Sequence, residues 1–276
     1  MVGRWACGRC GFVAWTRERS EMREAVGSHL LAHHSDALSR SDFRVRWDCP
    51  YCPTAKTVYD TDGAAAEFER HLYEHAADRI ADGVHVADRI GWDGVVQVDA
   101  AAAGDAADAL RAHFHRAAGL VVAVTPSPER LVRTLDARLA SWPRRTVVVS
   151  TGAYDFDSTS GVDFEGVDVE IVELDPRLTP DDVGETVSRV IDANRVSGER
   201  VSLEVSVFDR IVAAFGVETA VSFVRMLAAR LADATSVLQL YVDADADRNV
   251  ATVLNFLDET VDLTVAVDGD RFVRRP

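Results

Sequence analysis

Four cysteines and four histidines in one repeated pattern are the residues of this chain best suited to chemistry, and the chemistry they suit is metal ligation. Cys7 and Cys10 are followed by His29 and His33; Cys49 and Cys52 are followed by His71 and His75. Both copies read Cys-x2-Cys-x18-His-x3-His, 42 residues apart, and Trp5 and Trp47 each stand two residues before the first cysteine. Two thiolates with two imidazoles are a common tetrahedral zinc set, and four protein ligands leave no open position, so two structural zinc ions are expected. A His-x3-His pair lies one helical turn apart and sends both rings to one side. That requires helices over 21–34 and 63–77. His34, next to His33, is an alternative fourth ligand in the first copy; the symmetry of the repeat favours His33. A redox Cys-x2-Cys would open a helix without trailing histidine pairs. Disulfides are disfavoured because no secretion signal is visible.

The pattern resembles the C2H2 zinc finger. That family places an aromatic residue two before the first cysteine, as Trp5 and Trp47 do, and a core hydrophobe three before the first histidine, as Val26 and Phe68 do. Two departures stand out. The usual stretch between cysteines and histidines is about 12 residues, and residues 35–48 lack the family's short linker. DNA-reading members contact bases from helix positions −1, 3 and 6. The resemblance puts Met22, Ala25 and Ser28 there in the first copy and Ala64, Glu67 and Arg70 in the second. Only Arg70 has the bidentate fork that suits guanine. Residues 1–46 nevertheless hold eight arginines against five acids. Arg17, Arg19, Arg23 and Arg70 are therefore the candidate nucleic-acid contacts, through phosphate for the first three.

The elements that must carry these sites sit in a 276-residue chain of net charge −15, with Lys56 the single lysine among 30 basic residues. Such an acidic, arginine-rich composition looks like that of haloarchaeal cytoplasmic proteins, whose carboxylates keep the surface hydrated when molar salt screens charge. No run reaches the roughly 18 apolar residues of a membrane span. A soluble, cytoplasmic protein with no membrane partner is expected.

From about residue 92 short β-branched runs alternate with amphipathic stretches. Strands are expected at 95–98, 120–124, 146–150, 167–174, 201–207, 237–242 and 261–267. Helices are expected at 105–117, 127–140, 180–194, 217–232 and 247–259, two of them opened by Ser127-Pro128 and Thr179-Pro180. The alternation predicts an α/β domain with a mostly parallel sheet covered by helices. Asp243 to 247 is acidic but lacks the glycine and distal glutamate of a calcium loop. His113 and His115 lie two apart, on different helix faces, and read as surface or partly buried residues.

Element order, together with Thr125-Pro126-Ser127-Pro128-Glu129-Arg130, Val148-Val149-Ser150-Thr151-Gly152 and the stretch Val201 to Asp209, resembles degenerate haloarchaeal relatives of the RecA/KaiC ATPases. The resemblance implies a RecA-like sheet over 92–276. An active member would carry Gly-x4-Gly-Lys-Ser/Thr after strand 120–124. Here two prolines remove amide donors, glycines and lysine are missing, and Glu129 repels phosphate. The expected magnesium aspartate near Val205–Val207 is also absent; Glu204 with Ser206 is nearest. The expected organisation is finger 1 at 1–40, finger 2 at 41–80, a linker at 81–91 and a pseudo-ATPase domain at 92–276. The expected function is a non-enzymatic zinc-binding adaptor for an unknown protein partner. A nucleic-acid regulator (DNA or RNA) and a non-hydrolysing nucleotide switch are the alternatives, with ATP disfavoured.

Overall fold

Tight hairpins bring each cysteine pair beneath a helix. The computed structural model describes all residues except 1, 17, 36–37, 42–43, 60, 84–89, 91–92, 101–103, 153, 155, 176, 233–234, 244–247, 269–270 and 275–276. Arg17 and the acidic run 244–247 thus lie outside the described residues. The chain divides into two compact units, residues 1–86 with 268–276, and residues 87–267.

In the first unit, β1 (Val2–Ala6) and β2 (Val13–Thr16) pair antiparallel around the Cys7–Cys10 turn and are followed by α1 (Arg19–His34). The pattern repeats with β3 (Leu38–Ser41), β4 (Arg44–Asp48) and β5 (Ala55–Val58), an antiparallel sheet with the Cys49–Cys52 turn between β4 and β5, followed by α2 (Thr61–Glu74). A short strand β6 (Ala81–Gly83) adds to β1. Trp5, Val26, Trp47 and Phe68 are all buried, as the aromatic and core positions of the repeat require.

The second unit is a parallel sheet built from β7 (Gly94–Asp99), β8 (Leu120–Thr125), β9 (Arg145–Ser150), β10 (Val169–Glu173), β11 (Val201–Val205), β12 (Ser236–Val242) and β13 (Leu263–Asp268). These alternate with α3 (Asp105–His115), α4 (Pro128–Arg138), α5 (Pro180–Asn194), α6 (Phe208–Leu231) and α7 (Arg248–Leu257). The strand order is β10-β9-β8-β11-β12-β7-β13, every described pairing parallel. The stretch β10-β9-β8-β11-β12 is the doubly wound order 3-2-1-4-5, with its switch point between β8 and β11. One face is apolar: Leu120, Val122, Leu203, Val205, Leu238 and Leu240 pack with Val187, Phe223, Leu227 and Val253 of α5, α6 and α7. The other face carries α4 through Leu131, Val132 and Leu135 against Ala123 and Val148.

The helix expected from Val217 starts earlier, at Phe208, and is interrupted at Gly216, whose φ of +81° only glycine adopts without strain. By length and composition α6 is apolar enough to cross a membrane, the one such helix among the described residues. Phe208, Ala220, Phe223, Val224 and Leu227 of this broken helix are buried in the core. The C-terminal strand β14 (Arg271–Arg274) pairs with β2, Phe272 opposite Trp15, and belongs to the first unit.

Candidate metal centres

The two ligand groups assemble from the same local parts. Each cysteine pair sits in a turn whose ends are tied by backbone: Cys7 N–H donates to Phe12 O at 2.9 Å, and Cys49 N–H to Thr54 O at 2.9 Å. Backbone amides also face the sulfurs, Phe12 N at 3.5 Å from Cys10 Sγ and Tyr51 N at 3.4 Å from Cys49 Sγ. The helices then deliver imidazoles. Cys7 Sγ lies 3.2 Å from His34 Nε2 and Cys10 Sγ 3.5 Å from His29 Nε2. Cys49 Sγ lies 3.4 Å from His75 Nε2 and Cys52 Sγ 3.3 Å from His71 Nε2. In each group all four donor atoms lie within 4.8 Å of one another. A tetrahedron with zinc–sulfur bonds near 2.3 Å and zinc–nitrogen bonds near 2.0 Å has sulfur–nitrogen edges of about 3.5 Å. The donors thus stand where an ion would need them, and the four cysteines form no disulfide.

The sequence symmetry misplaces one ligand. His34, not His33, completes the first group. His33 is exposed, whereas His34 is the last residue of α1 and Ser35 after it is already extended, at φ −133° and ψ 111°. At a helix end a five-residue step from His29 can reach the ion as well as a four-residue one. The first copy therefore reads His-x4-His, still within ordinary zinc spacing. Aromatic rings hold the first histidine of each group: Phe12 stacks on His29 with centroids 3.9 Å apart, and Trp47 stacks on His71 at 5.3 Å. Burial, with His34 and His33 nearby, holds His29 down to about 4, so it is neutral and ready to ligate. The Thr54 hydroxyl beside Cys52 holds that thiol down to about 6.

The faces that would read DNA are largely used for packing. Met22, Ala25 and Ala64 are buried. Ser28 donates to Glu69 at 3.3 Å, from one helix to the other. Glu67 is paired with Lys56 and, at 3.5 Å, with Arg70. A Cβ on Gly27 would lie 3.1 Å from both Cβ and O of Glu69, so α1 and α2 meet at a contact tighter than a side chain there would ordinarily make. Arg19, Arg23 and Arg70 are exposed.

In the α/β unit the sequence missed a buried ionic chain. His115 is fully buried, and His113 is buried too, which corrects the reading of this pair as surface or partly buried. The Glu204 carboxylate accepts from Arg111 Nε at 2.7 Å and from His115 Nε2 at 3.0 Å, and Ser206 also donates to it. Asp108 accepts from Arg111 at 2.5 Å and from Arg130 at 2.6 Å. His115 Nδ1 lies 3.0 Å from Ser202 Oγ, which accepts from Gln239 at 2.8 Å, and Gln239 in turn accepts from Tyr241. Burial alone would push Glu204 up, yet Arg111 and His115 hold it down to about 2. The serine–histidine–carboxylate chain is shaped like a hydrolytic triad, but Ser202 is wholly buried and lines no described cavity. At the switch point, where doubly wound sheets take ligands, Arg111, Arg130 and Leu131 fill the crevice and leave about 70 Å³. A signal was available: Ser202 and Glu204 alternate on one strand face, opposite Asp108, Arg111 and His115 at helical spacing.

No protein-family profile and no curated protein matches this sequence. Among solved structures it is similar to an uncharacterized protein from Pyrococcus horikoshii in complex with an unknown peptide, with TM-score 0.43, 15% identity, and coverage of 63% of this chain and 77% of that one. A second Pyrococcus horikoshii OT3 protein, known from a structural study, gives TM-score 0.43 and 10% identity over 64% of this chain and 81% of its own.

Proposed function

We propose that this protein is a non-enzymatic docking protein whose N-terminal unit is held together by two zinc ions, bound by Cys7, Cys10, His29 and His34 and by Cys49, Cys52, His71 and His75. The observation that carries this reading is the packing of half the base-reading positions: Met22, Ala25 and Ala64 are buried, and the two helices meet through Gly27, Ser28 and Glu69, which leaves each helix less surface to lay in a groove. The metal would supply folding energy. Small modules bury too little apolar surface to stand alone, and a closed zinc site contributes on the order of 10–16 kcal/mol in finger peptides.

The α/β unit is read as a degenerate RecA/KaiC-like domain that serves as a second docking body. Prolines at 126 and 128 occupy the turn after β8, and the 70 Å³ crevice there is far below the roughly 300–1,000 Å³ of small-molecule sites. The acidic, lysine-poor surface suits a protein working in concentrated salt. The nucleic-acid reading keeps one observation in its favour, the exposed Arg19, Arg23 and Arg70. The test is co-purification of cross-linked partners with the zinc-loaded chain after nuclease treatment. A protein partner recovered only by the zinc-loaded form supports the reading. Tight binding of DNA or RNA that survives molar KCl, lost in Arg19→Ala/Arg23→Ala/Arg70→Ala, would replace it.

A further inference from the structure

Within the N-terminal unit, the two cysteine turns face each other across a groove of about 440 Å³. Its floor is apolar, from Trp5, Leu30 and Ala76, and its charged lining is only basic, Arg9 and Arg79. The Arg9 guanidinium lies over the Tyr51 ring, 4.7 Å from its centroid, so one turn is stacked on the other. Arg9, Tyr51 and Arg79 are all exposed. In a chain with 45 acids, arginines such as Arg46, Arg111, Arg144 and Arg145 hold carboxylates. Among the described residues, none pairs with Arg9 or Arg79.

We infer that this groove seats a short acidic-apolar peptide segment of a protein partner, an apolar side chain on the Trp5–Leu30–Ala76 floor and flanking carboxylates on Arg9 and Arg79. A guanidinium stacked on an aromatic face keeps its in-plane donors free, and its fork matches a carboxylate in two parallel bonds. The volume falls in the range that encloses several side chains. A long polyanion fits less well. Exposed Glu74 and Asp78 adjoin His75 and Arg79 in the sequence, and their charge opposes a long polyanion more than a peptide with two or three carboxylates. The inference rests on the protein-docking reading above and names where and by what chemistry the partner is held.

The test is fluorescence anisotropy of the zinc-loaded full chain with a fluorescein-labelled peptide Asp-Glu-Leu-Phe-Asp-Glu, its amide counterpart Asn-Gln-Leu-Phe-Asn-Gln, and a dT12 oligonucleotide. The acidic peptide is expected to bind at least tenfold tighter than its amide counterpart. Arg9→Ala and Arg79→Ala should each weaken it about tenfold, while Arg189→Ala, an exposed arginine of the α/β unit, leaves it unchanged. Bound zinc and circular dichroism confirm that each variant is folded, and Arg9→Lys separates loss of the fork from loss of charge. Peptide binding that ignores both substitutions, or no peptide binding, overturns the inference; dT12 binding lost in the same variants assigns the groove to nucleic acid instead. A cross-linked partner that still binds Arg9→Ala/Arg79→Ala sinks the groove alone, whereas absence of any protein partner sinks the docking reading itself.

Discussion

Replacing Glu204 by glutamine should destabilise the α/β unit by about 3–5 kcal/mol at pH 7. The carboxylate is 1% exposed and sits between Arg111 and His115. Removing its charge leaves Arg111, 4% exposed, without the carboxylate on its Nε though still paired with Asp108, and breaking a buried pair from one side carries a cost of about that size. The pull of the same two cations on the carboxyl points the same way. A carboxyl at about 2 instead of its ordinary 4.5 corresponds to about 3 kcal/mol of folding free energy. Because the folded value is depressed, that stability is fully present above pH 4.5 and is lost as pH falls toward 2. Hydrogen exchange of amides in β8 and β11 reads this unit alone. In Glu204→Gln their protection should fall by about two to four orders of magnitude at pH 7, and the gap to wild type should close as pH drops from 4.5 to 2. Arg111→Met/Glu204→Leu should recover much of the loss, since an apolar pair of similar volume often matches a buried ion pair. A Glu204→Gln effect below 1 kcal/mol, or a gap that stays constant with pH, would refute the reasoning.

Three further outcomes follow from named contacts. His34→Ala should empty the first metal centre while His33→Ala leaves it filled, read by bound zinc per chain. Cys49→Ala should unfold the second module, 47–78, with β8 and β11 protection unchanged; loss of both together would contradict two separate units. Gly27→Ala places a methyl 3.1 Å from the Glu69 backbone, and by overpacking should lower the melting free energy of the N-terminal unit by about 1–3 kcal/mol.

How much of this was legible in the sequence depended on range. Ligand spacing is local, so the two Cys/His groups and the tryptophans Trp5 and Trp47 could be read directly, whereas the Phe12 ring on His29 could not. Even there, the choice between His33 and His34 turned on the geometry of a helix end, which spacing does not encode. The parallel α/β unit was legible from Val-rich runs alternating with capped helices; Thr179 caps α5 as its sequence suggests. The start of α6 was hidden because Gly216 splits it into two pieces. Neither the partner of β14, four residues long and more than 250 positions from β2, nor the Glu204–Arg111–His115 chain has a local signature. Both depend on which distant elements meet.

The most direct test of the account is metal content with X-ray absorption on the intact chain. Two zinc ions per chain, each with two sulfurs and two imidazole nitrogens and no oxygen, would match the geometry of both groups. One ion or none at saturating zinc, or a bound water in either shell, would contradict the closed structural centres on which the docking reading stands.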